Sequence, residues 1–119
     1  MRALVVKLTA GEEEPERASQ AFTIASTAVA SGVEVSMWLT GDAVFFALPG
    51  AAEAFDLPHG APLAGLRDAI LSGGTLTACT QCLARRDISP EDLMLGVLVA
   101  GAASFVEQIL TEDTQALVY

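Results

Sequence analysis

The chain has 119 residues, of which 52% are hydrophobic, and it carries a formal net charge of −9. This length fits one domain spanning residues 1–119, and the apolar content is enough to fill a core. The excess of acidic residues argues against a nucleic acid or an anionic membrane as the main partner, because both bind basic surfaces.

The N-terminal third predicts a β-α-β unit. Ala3–Leu8 is a nearly all-apolar, β-branched run, which is typical of a central parallel strand. Acidic residues and Pro15 mark a helix start, apolar residues then recur at helical spacing, and Gly32 ends the helix. Val33–Leu39 is the second strand, so the two strands are expected to be parallel.

The rest of the chain alternates helices and strands. Asp42 is predicted to cap a short helix at 43–48, and residues 49–62 read as a surface loop or a broken helix. The further predicted elements are a helix at 63–71, a strand at 75–78, a short helix at 80–86, a helix start at Ser89, a strand at 94–100, a helix at 103–110 and a strand at 114–119. Five strands alternating with helices predict a flavodoxin-like three-layer α/β sandwich, with a parallel sheet in the order 2-1-3-4-5 and helices on both faces.

Both cysteines of the chain lie in the segment TLTACTQCLARR. In the expected strand order, Cys79 ends the third strand at the point where the order reverses, which is where ligands gather in such sheets. Cys79 also begins a helix, whose free N–H groups stabilise a thiolate. Cys82 lies on the same helical face and can reach Cys79. The sequence therefore predicts that Cys79 is the reactive thiol and Cys82 is auxiliary; the alternative is that both are small buried hydrophobes.

Further candidate residues follow strands on the same rim or lie in the helix that begins at Cys79. These pocket candidates are Thr9, Gly11, Gly41, Asp42 and Arg85. Arg85 and Arg86 could bind an anionic or polysulfide-like ligand, but both also compensate the C-terminal end of a short helix. A helix cap is likewise a sufficient explanation for Asp42.

No metal site or cofactor is predicted. One C-x-x-C supplies two of the four ligands that zinc needs, and His59, the only histidine, lies in the irregular segment. The chain contains no dinucleotide-binding glycine motif, no P-loop and no nucleophile elbow.

Several segments together resemble the DsrE/DsrF-like family, in its small YchN-type branch. They are LVVKLTAGEEEPERA, WLTGDAV, TACTQCLARRDISPEDL, GVLVAGAASFVEQIL and ALVY, and they cover essentially the whole chain. The resemblance implies a flavodoxin-like fold, assembly into trimers, hexamers or hetero-oligomers, and a sulfur relay in which a cysteine accepts sulfane sulfur as a persulfide. By position that cysteine is Cys79, and Cys82 matches the companion cysteine of the branch.

Three functions remain open from the sequence, and so does the question of whether the protein is an enzyme. The leading hypothesis is a sulfurtransferase-like sulfur carrier that works with donor and acceptor proteins. The second is a dithiol oxidoreductase that cycles through a Cys79–Cys82 disulfide. The third is a non-enzymatic module that binds a small molecule or a partner. Self-association is expected in each case, because aromatic residues near loops and short helices leave apolar surface to bury, and the resemblance implies a homotrimer or hexamer.

A cytoplasmic location with no membrane partner is also expected. No signal peptide is recognisable, and the longest apolar run, residues 93–105, is too short to cross a bilayer. In a reducing cytosol, a C-x-x-C pair is more often catalytic, redox-active or metal-binding than a structural disulfide.

Overall fold

Five parallel strands form a sheet in the order β4-β3-β2-β1-β5, as described by a computed structural model for residues 2–119. The strands are β1 (Ala3–Leu8), β2 (Glu34–Leu39), β3 (Thr75–Cys79), β4 (Leu98–Ala100) and β5 (Thr114–Val118). The α-helices are α1 (Pro15–Ala30), α2 (Ala51–Ala54), α3 (Leu63–Gly73), α4 (Thr80–Arg85) and α5 (Ala102–Ile109), and 3₁₀ helices span Gly41–Ala47 and Pro90–Asp92.

The parallel α/β sandwich predicted from the sequence is confirmed, but the strand order differs from the expected 2-1-3-4-5. Strand β3 pairs with β2, where Leu76 lies opposite Met37, and β5 occupies the free edge of β1, where Thr114 lies opposite Ala3. Helices α1 and α3 contact each other and therefore lie on the same face of the sheet. Because these crossovers are right-handed, two of them on one face must move in the same direction across the sheet, from β1 to β2 and from β2 to β3. Cys79 therefore lies beside the end of β2, and the order reverses between β1 and β5 instead.

The main core lies between the sheet and helices α1 and α3. Alternate residues of β1, β2 and β3 point into it, as the two-residue period of a strand requires. Its largest members are Phe22, Leu8, Met37, Leu39, Leu63, Ile70, Leu76 and Val6. Phe46, from the first 3₁₀ helix, packs edge-on against Phe22, with ring centroids 5.6 Å apart, and so fixes the segment that follows β2 onto this core.

Helix α5 covers the opposite face of the sheet. The indole Nε1–H of Trp38 and the hydroxyl of Ser36 both donate to Oε1 of Gln108, each at 2.9 Å. The Phe105 ring packs edge-on against Trp38, and the Lys7 Nζ lies 5.0 Å from the centroid of the Phe105 ring. These contacts place helices on both faces, as predicted. No helix within residues 2–119 combines the length and the apolar character needed to traverse a bilayer.

Element boundaries differ from the sequence prediction in the C-terminal half. The strand predicted at 94–100 begins only at Leu98. The residues before it form a turn, because Gly96 adopts a φ of +96° and the Val97 N–H donates to the Met94 carbonyl oxygen. Helix α3 continues to Gly73, past its predicted end at residue 71. The irregular segment at 49–62 contains the single-turn helix α2.

A buried arginine joins α2 to α3. Arg67 is 1% exposed, and its Nη1 and Nη2 donate to the two carboxylate oxygens of Glu53 at 3.0 and 2.8 Å. Its Nε donates to Asp68 at 3.1 Å. A paired and hydrogen-bonded guanidinium is the form in which a buried charge is tolerated, so this pair holds the irregular segment against α3.

We expect the ion pair between Arg67 and Glu53 to stabilise the protein less in acid than at neutral pH. The hydrogen bond from Arg67 is the largest of the effects that lower the pKa of Glu53, from 4.5 to about 2. A carboxylate with a depressed folded-state pKa stabilises the protein above its unfolded pKa, and this stabilisation is lost as the pH falls toward the folded value. We expect Glu53→Gln to lower the urea midpoint at neutral pH, and the difference from wild type to shrink as the pH falls from 4.5 to 2. The exposed Glu107→Gln is the control, and a difference that stays constant down to pH 2 would contradict the assignment.

Candidate active site at the carboxyl end of β3

Cys79 is both the last residue of β3 and the N-cap of α4. Its backbone is extended, with φ −68° and ψ 125°, and the helix begins at the next residue. Its side chain makes no regular capping hydrogen bond, but the backbone N–H groups of Gln81 and Cys82 lie close enough to lower the pKa of its thiol. The thiol is free and half-buried, so a reagent can approach it from the solvent.

Opposing effects set the pKa of Cys79. Burial is the largest single effect and raises the pKa. The Cys82 N–H, the Cys82 side chain, the Gln81 N–H and the positive charge of Arg85 all lower it, and together they outweigh burial. The pKa of Cys79 therefore lies below that of an ordinary cysteine, as expected for a thiol at a helix N-terminus.

Cys82 lies one turn along α4 and is only 8% exposed. Its Sγ accepts a hydrogen bond from the Gly41 N–H at 3.2 Å. Burial is the main cause that raises the pKa of Cys82, and the neighbouring Cys79 sulfur adds to it, while the Gly41 N–H and the charge of Arg86 oppose it. The two pKa values are thus displaced in opposite directions, and Cys79 ionises first.

Arg86 connects α4 to the segment that follows β2. Its Nε donates to Oδ1 of Asp42 at 2.8 Å, and its Nη1 donates to the carbonyl oxygen of Cys82 at 3.0 Å. The guanidinium also lies 6.0 Å from the centroid of the Phe45 ring. This clamp holds the backbone at Gly41 in place to donate to the sulfur of Cys82.

The predicted capping role of Asp42 is not observed. Thr40 occupies the N-cap position of the first 3₁₀ helix, and within residues 2–119 no side chain caps that helix. Asp42 lies in the first turn, and its carboxylate pairs with Arg86, because α4 brings a guanidinium within reach.

Two of the predicted pocket residues lie behind the site. The Thr9 hydroxyl donates to the Tyr119 carbonyl at 2.7 Å and ties the ends of β1 and β5 together. A Cβ at Gly11 would lie 2.7 Å from the carbonyl oxygen of Asp42, so this glycine permits close packing against the segment after β2. Gly41 itself has a φ of +56°, and a Cβ there would lie 2.7 Å from the Thr9 carbonyl oxygen. These residues support the site from the ends of β1 and β2.

The structure thus brings Cys79, Cys82, Gly41 and Arg85 together, and it adds Arg86, for which the sequence favoured a role at the end of a helix over contact with a ligand. The sequence did contain a signal for the ion pair between Asp42 and Arg86: an acidic residue follows one strand, and a basic residue follows a later helix on the same rim. It was not decisive, because the expected strand order did not place the ends of β2 and β3 side by side.

A cleft of about 810 Å³ opens on the same rim; Asp42 contributes to its lining, and neither cysteine does. Three phenylalanines and four carboxylates contribute to its lining: Phe45, Phe46, Phe55, Glu12, Glu13, Asp42 and Asp56. Two other cavities, of about 420 and 330 Å³, are lined by residues at the amino ends of the strands. The cleft is therefore the largest of these three, and it lies on the rim that carries the thiols.

Within residues 2–119, no group of three or more histidine, cysteine or carboxylate side chains is placed to hold a metal ion. His59 is exposed in the segment between α2 and α3, with a φ of +64°.

The model of the DsrE/DsrF-like family matches residues 2–115 of this chain. The chain belongs to the DsrE/DsrF-like family. Members of this family generally act in sulfur relay. An uncharacterized protein of Methanopyrus kandleri is 33% identical over 98 residues, which is 82% of this chain and 78% of that protein.

Solved structures of other proteins superpose on this family member over their full length. The YchN protein from E. coli superposes with a TM-score of 0.83 at 19% identity, and the match covers 100% of both chains. A protein of unknown function from Methanobacterium thermoautotrophicum gives a TM-score of 0.76 at 14% identity, again over 100% of both chains. At these identities the matches show a shared fold, and they agree with the branch predicted from the sequence.

Proposed function

We propose that this protein is a cytoplasmic sulfur carrier that accepts sulfane sulfur as a persulfide on Cys79 and passes it to a partner protein. The observation that supports this most strongly is the free, half-buried Cys79 thiol at the N-cap of α4, where the Gln81 and Cys82 N–H groups lower its pKa. A thiolate is the nucleophile in sulfur exchange, and a lowered pKa increases the fraction of Cys79 that is present as thiolate.

The chemistry follows the rules of thiol–disulfide exchange. The Cys79 thiolate attacks the sulfane sulfur of a donor, a new S–S bond forms, and the donor's remaining sulfur leaves with the electron pair of the broken bond. The N–H groups of Gln81 and Cys82 stabilise the anion before the attack. In the second step an acceptor thiolate attacks the terminal sulfur of the persulfide, and Cys79 leaves as a thiolate. The lowered pKa of Cys79 helps this step, because a more acidic thiol is a better leaving group.

Intact mass after anaerobic treatment with inorganic polysulfide tests this function. Cys82→Ser, which retains the primary thiol, should gain about 32 Da as one persulfide, and Cys79→Ser should gain nothing. Cyanide, which removes sulfane sulfur, should return the loaded protein to its starting mass. If Cys82→Ser gains no mass, the carrier function is wrong. The dithiol oxidoreductase predicts instead that a disulfide substrate oxidises the wild-type protein, with a loss of about 2 Da and no persulfide at any time.

We further propose that the protein assembles as a homotrimer or hexamer. Apolar side chains remain exposed on the two edge strands, on α5 and on the adjoining turns: Leu95, Leu98, Val99, Val106, Leu110, Leu117 and Val118. Leu95 and Leu110 are 99% and 77% exposed. Exposed apolar side chains that together form a contiguous surface usually mark a site that binds another protein.

Sedimentation at micromolar concentration should show trimers or hexamers. Paired charge substitutions Val106→Glu and Leu110→Glu should shift the protein to monomers, because burying unpaired carboxylates at an interface is unfavourable. Ile24→Glu, at an exposed apolar position on α1, is the matched control and should leave the assembly unchanged. A wild-type protein that sediments only as a monomer would contradict this proposal.

A further inference from the structure

We propose that Cys82 resolves the Cys79 persulfide when no acceptor is present, by forming a Cys79–Cys82 disulfide and releasing hydrosulfide. This inference rests on the proposed carrier function and adds a second outcome for the bound sulfur. In transfer the sulfur leaves as sulfane sulfur on an acceptor, whereas in resolution it leaves fully reduced as sulfide.

The positions of the two cysteines on α4 carry the proposal. Cys79 is the N-cap and Cys82 is the third helical residue, so the two are three positions apart, a spacing that places side chains next to each other on one face of a helix. The Cys82 side chain is close enough to the Cys79 sulfur to contribute to its stabilisation. These are the only cysteines in the chain, so no other internal thiol competes for the persulfide.

The two sulfurs of the persulfide are not equivalent in this setting. The inner sulfur is the Sγ of Cys79, which is the atom that faces Cys82. The added outer sulfur has room on the solvent side, because Cys79 is half-buried whereas Cys82 is enclosed. Attack by Cys82 on the inner sulfur is therefore favoured by position over attack on the outer one.

The step balances without any further reactant. The persulfide anion on Cys79 and the thiol of Cys82 become one disulfide and HS⁻; the proton of Cys82 leaves with the terminal sulfur. The bond between the inner and outer sulfurs breaks as the bond between Sγ of Cys79 and Sγ of Cys82 forms. The two cysteine sulfurs are oxidised and the terminal sulfur is reduced. A dithiol reductant is then needed to restore both thiols for another cycle.

The surroundings of Cys82 keep this step slower than transfer at neutral pH. The Gly41 N–H binds its sulfur from the side of β2. In the unloaded protein the neighbouring Cys79 sulfur also raises the pKa of Cys82, and Arg86, which pairs with Asp42, opposes this rise. Arg85 acts mainly on Cys79. Because burial raises the pKa of Cys82, this thiol stays protonated and the persulfide persists for an acceptor.

The test follows the wild-type protein after anaerobic loading with inorganic polysulfide and removal of the excess by gel filtration. Without an acceptor, the species heavier by about 32 Da should convert to one lighter than the reduced protein by about 2 Da, with about one sulfide released per chain. In Cys82→Ser the heavier species should persist, and sulfide release should be at least about 10-fold slower. Ala84→Ser, at an exposed position of α4 to which no role in the site is assigned, is the matched control and should behave as wild type.

The outcomes separate this inference from the carrier function. A wild-type persulfide that is as stable as that of Cys82→Ser, with no sulfide released, would overturn the inference and leave the carrier function standing. Peptide mapping that finds the extra sulfur on Cys82 would also overturn it, because it would show attack on the outer sulfur. Failure of Cys82→Ser to gain any mass would instead overturn the carrier function itself.

Discussion

Substoichiometric iodoacetamide near pH 7 should alkylate Cys79 in the native protein and leave Cys82 unmodified. We expect a preference of at least about 10-fold, since the thiolate is the reacting species and the two pKa values are displaced in opposite directions. Accessibility acts in the same direction, because Cys79 is half-buried while Cys82 is enclosed. Peptide mapping of the labelled protein measures the ratio.

Two variants and one change of conditions serve as controls for the alkylation experiment. Cys79→Ser should lose the label, and Cys82→Ser should keep it at a rate close to wild type. In denaturant the two thiols should react at similar rates, because the helix N-terminus and the burial are both removed. Label found mainly on Cys82, or no label at all without denaturant, would reverse the assignment or show that both cysteines are core residues.

Gly41→Ala should produce the largest loss of stability among substitutions at the rim. A φ of +56° costs alanine about 1–2 kcal/mol relative to glycine. The new Cβ would also lie 2.7 Å from the Thr9 carbonyl oxygen, and relief of such an overlap by backbone movement typically costs about 1–3 kcal/mol more. We expect the melting temperature to fall by about 10 °C.

Gly32→Ala separates the two contributions to this loss. Gly32 has a φ of +82°, and among the described residues a Cβ there would meet no atom within 4 Å, so only the backbone cost remains. Gly41→Ala should therefore lower the melting temperature more than Gly32→Ala, and it alone should raise the alkylation rate of Cys82, because the Gly41 N–H moves off that sulfur. Equal effects of the two substitutions on both measurements would contradict this role of Gly41.

Most of the secondary structure was predictable because its signals are local. The apolar run at Ala3–Leu8, the proline at the start of α1 and the glycine after it depend only on neighbouring residues. Strand β4 was predicted too long, because the apolar residues 94–97 form a turn around Gly96 that apolar content alone does not reveal.

The strand order was not predictable in the same way, because it depends on which strand edges meet in space. The same contrast between local and long-range signals applies to the candidate site. Cys79 was placed correctly at the end of a strand and the start of a helix, since both features are local. The contacts around Cys79 were not predicted, because Arg86 pairs with Asp42 and Gly41 with Cys82, and the members of each pair are more than 40 positions apart in the chain.

The attachment of α5 gives the protein an intrinsic optical probe. Trp38 is the only tryptophan in the chain, and its indole is enclosed by Phe105 and bonded to Gln108 of α5. Its fluorescence therefore reports whether that helix is seated on the sheet, independently of any label on the thiols. Release of α5 would expose the indole to water and shift the emission to longer wavelength. Sulfur loading and the seating of α5 could thus be followed separately in one unlabelled sample.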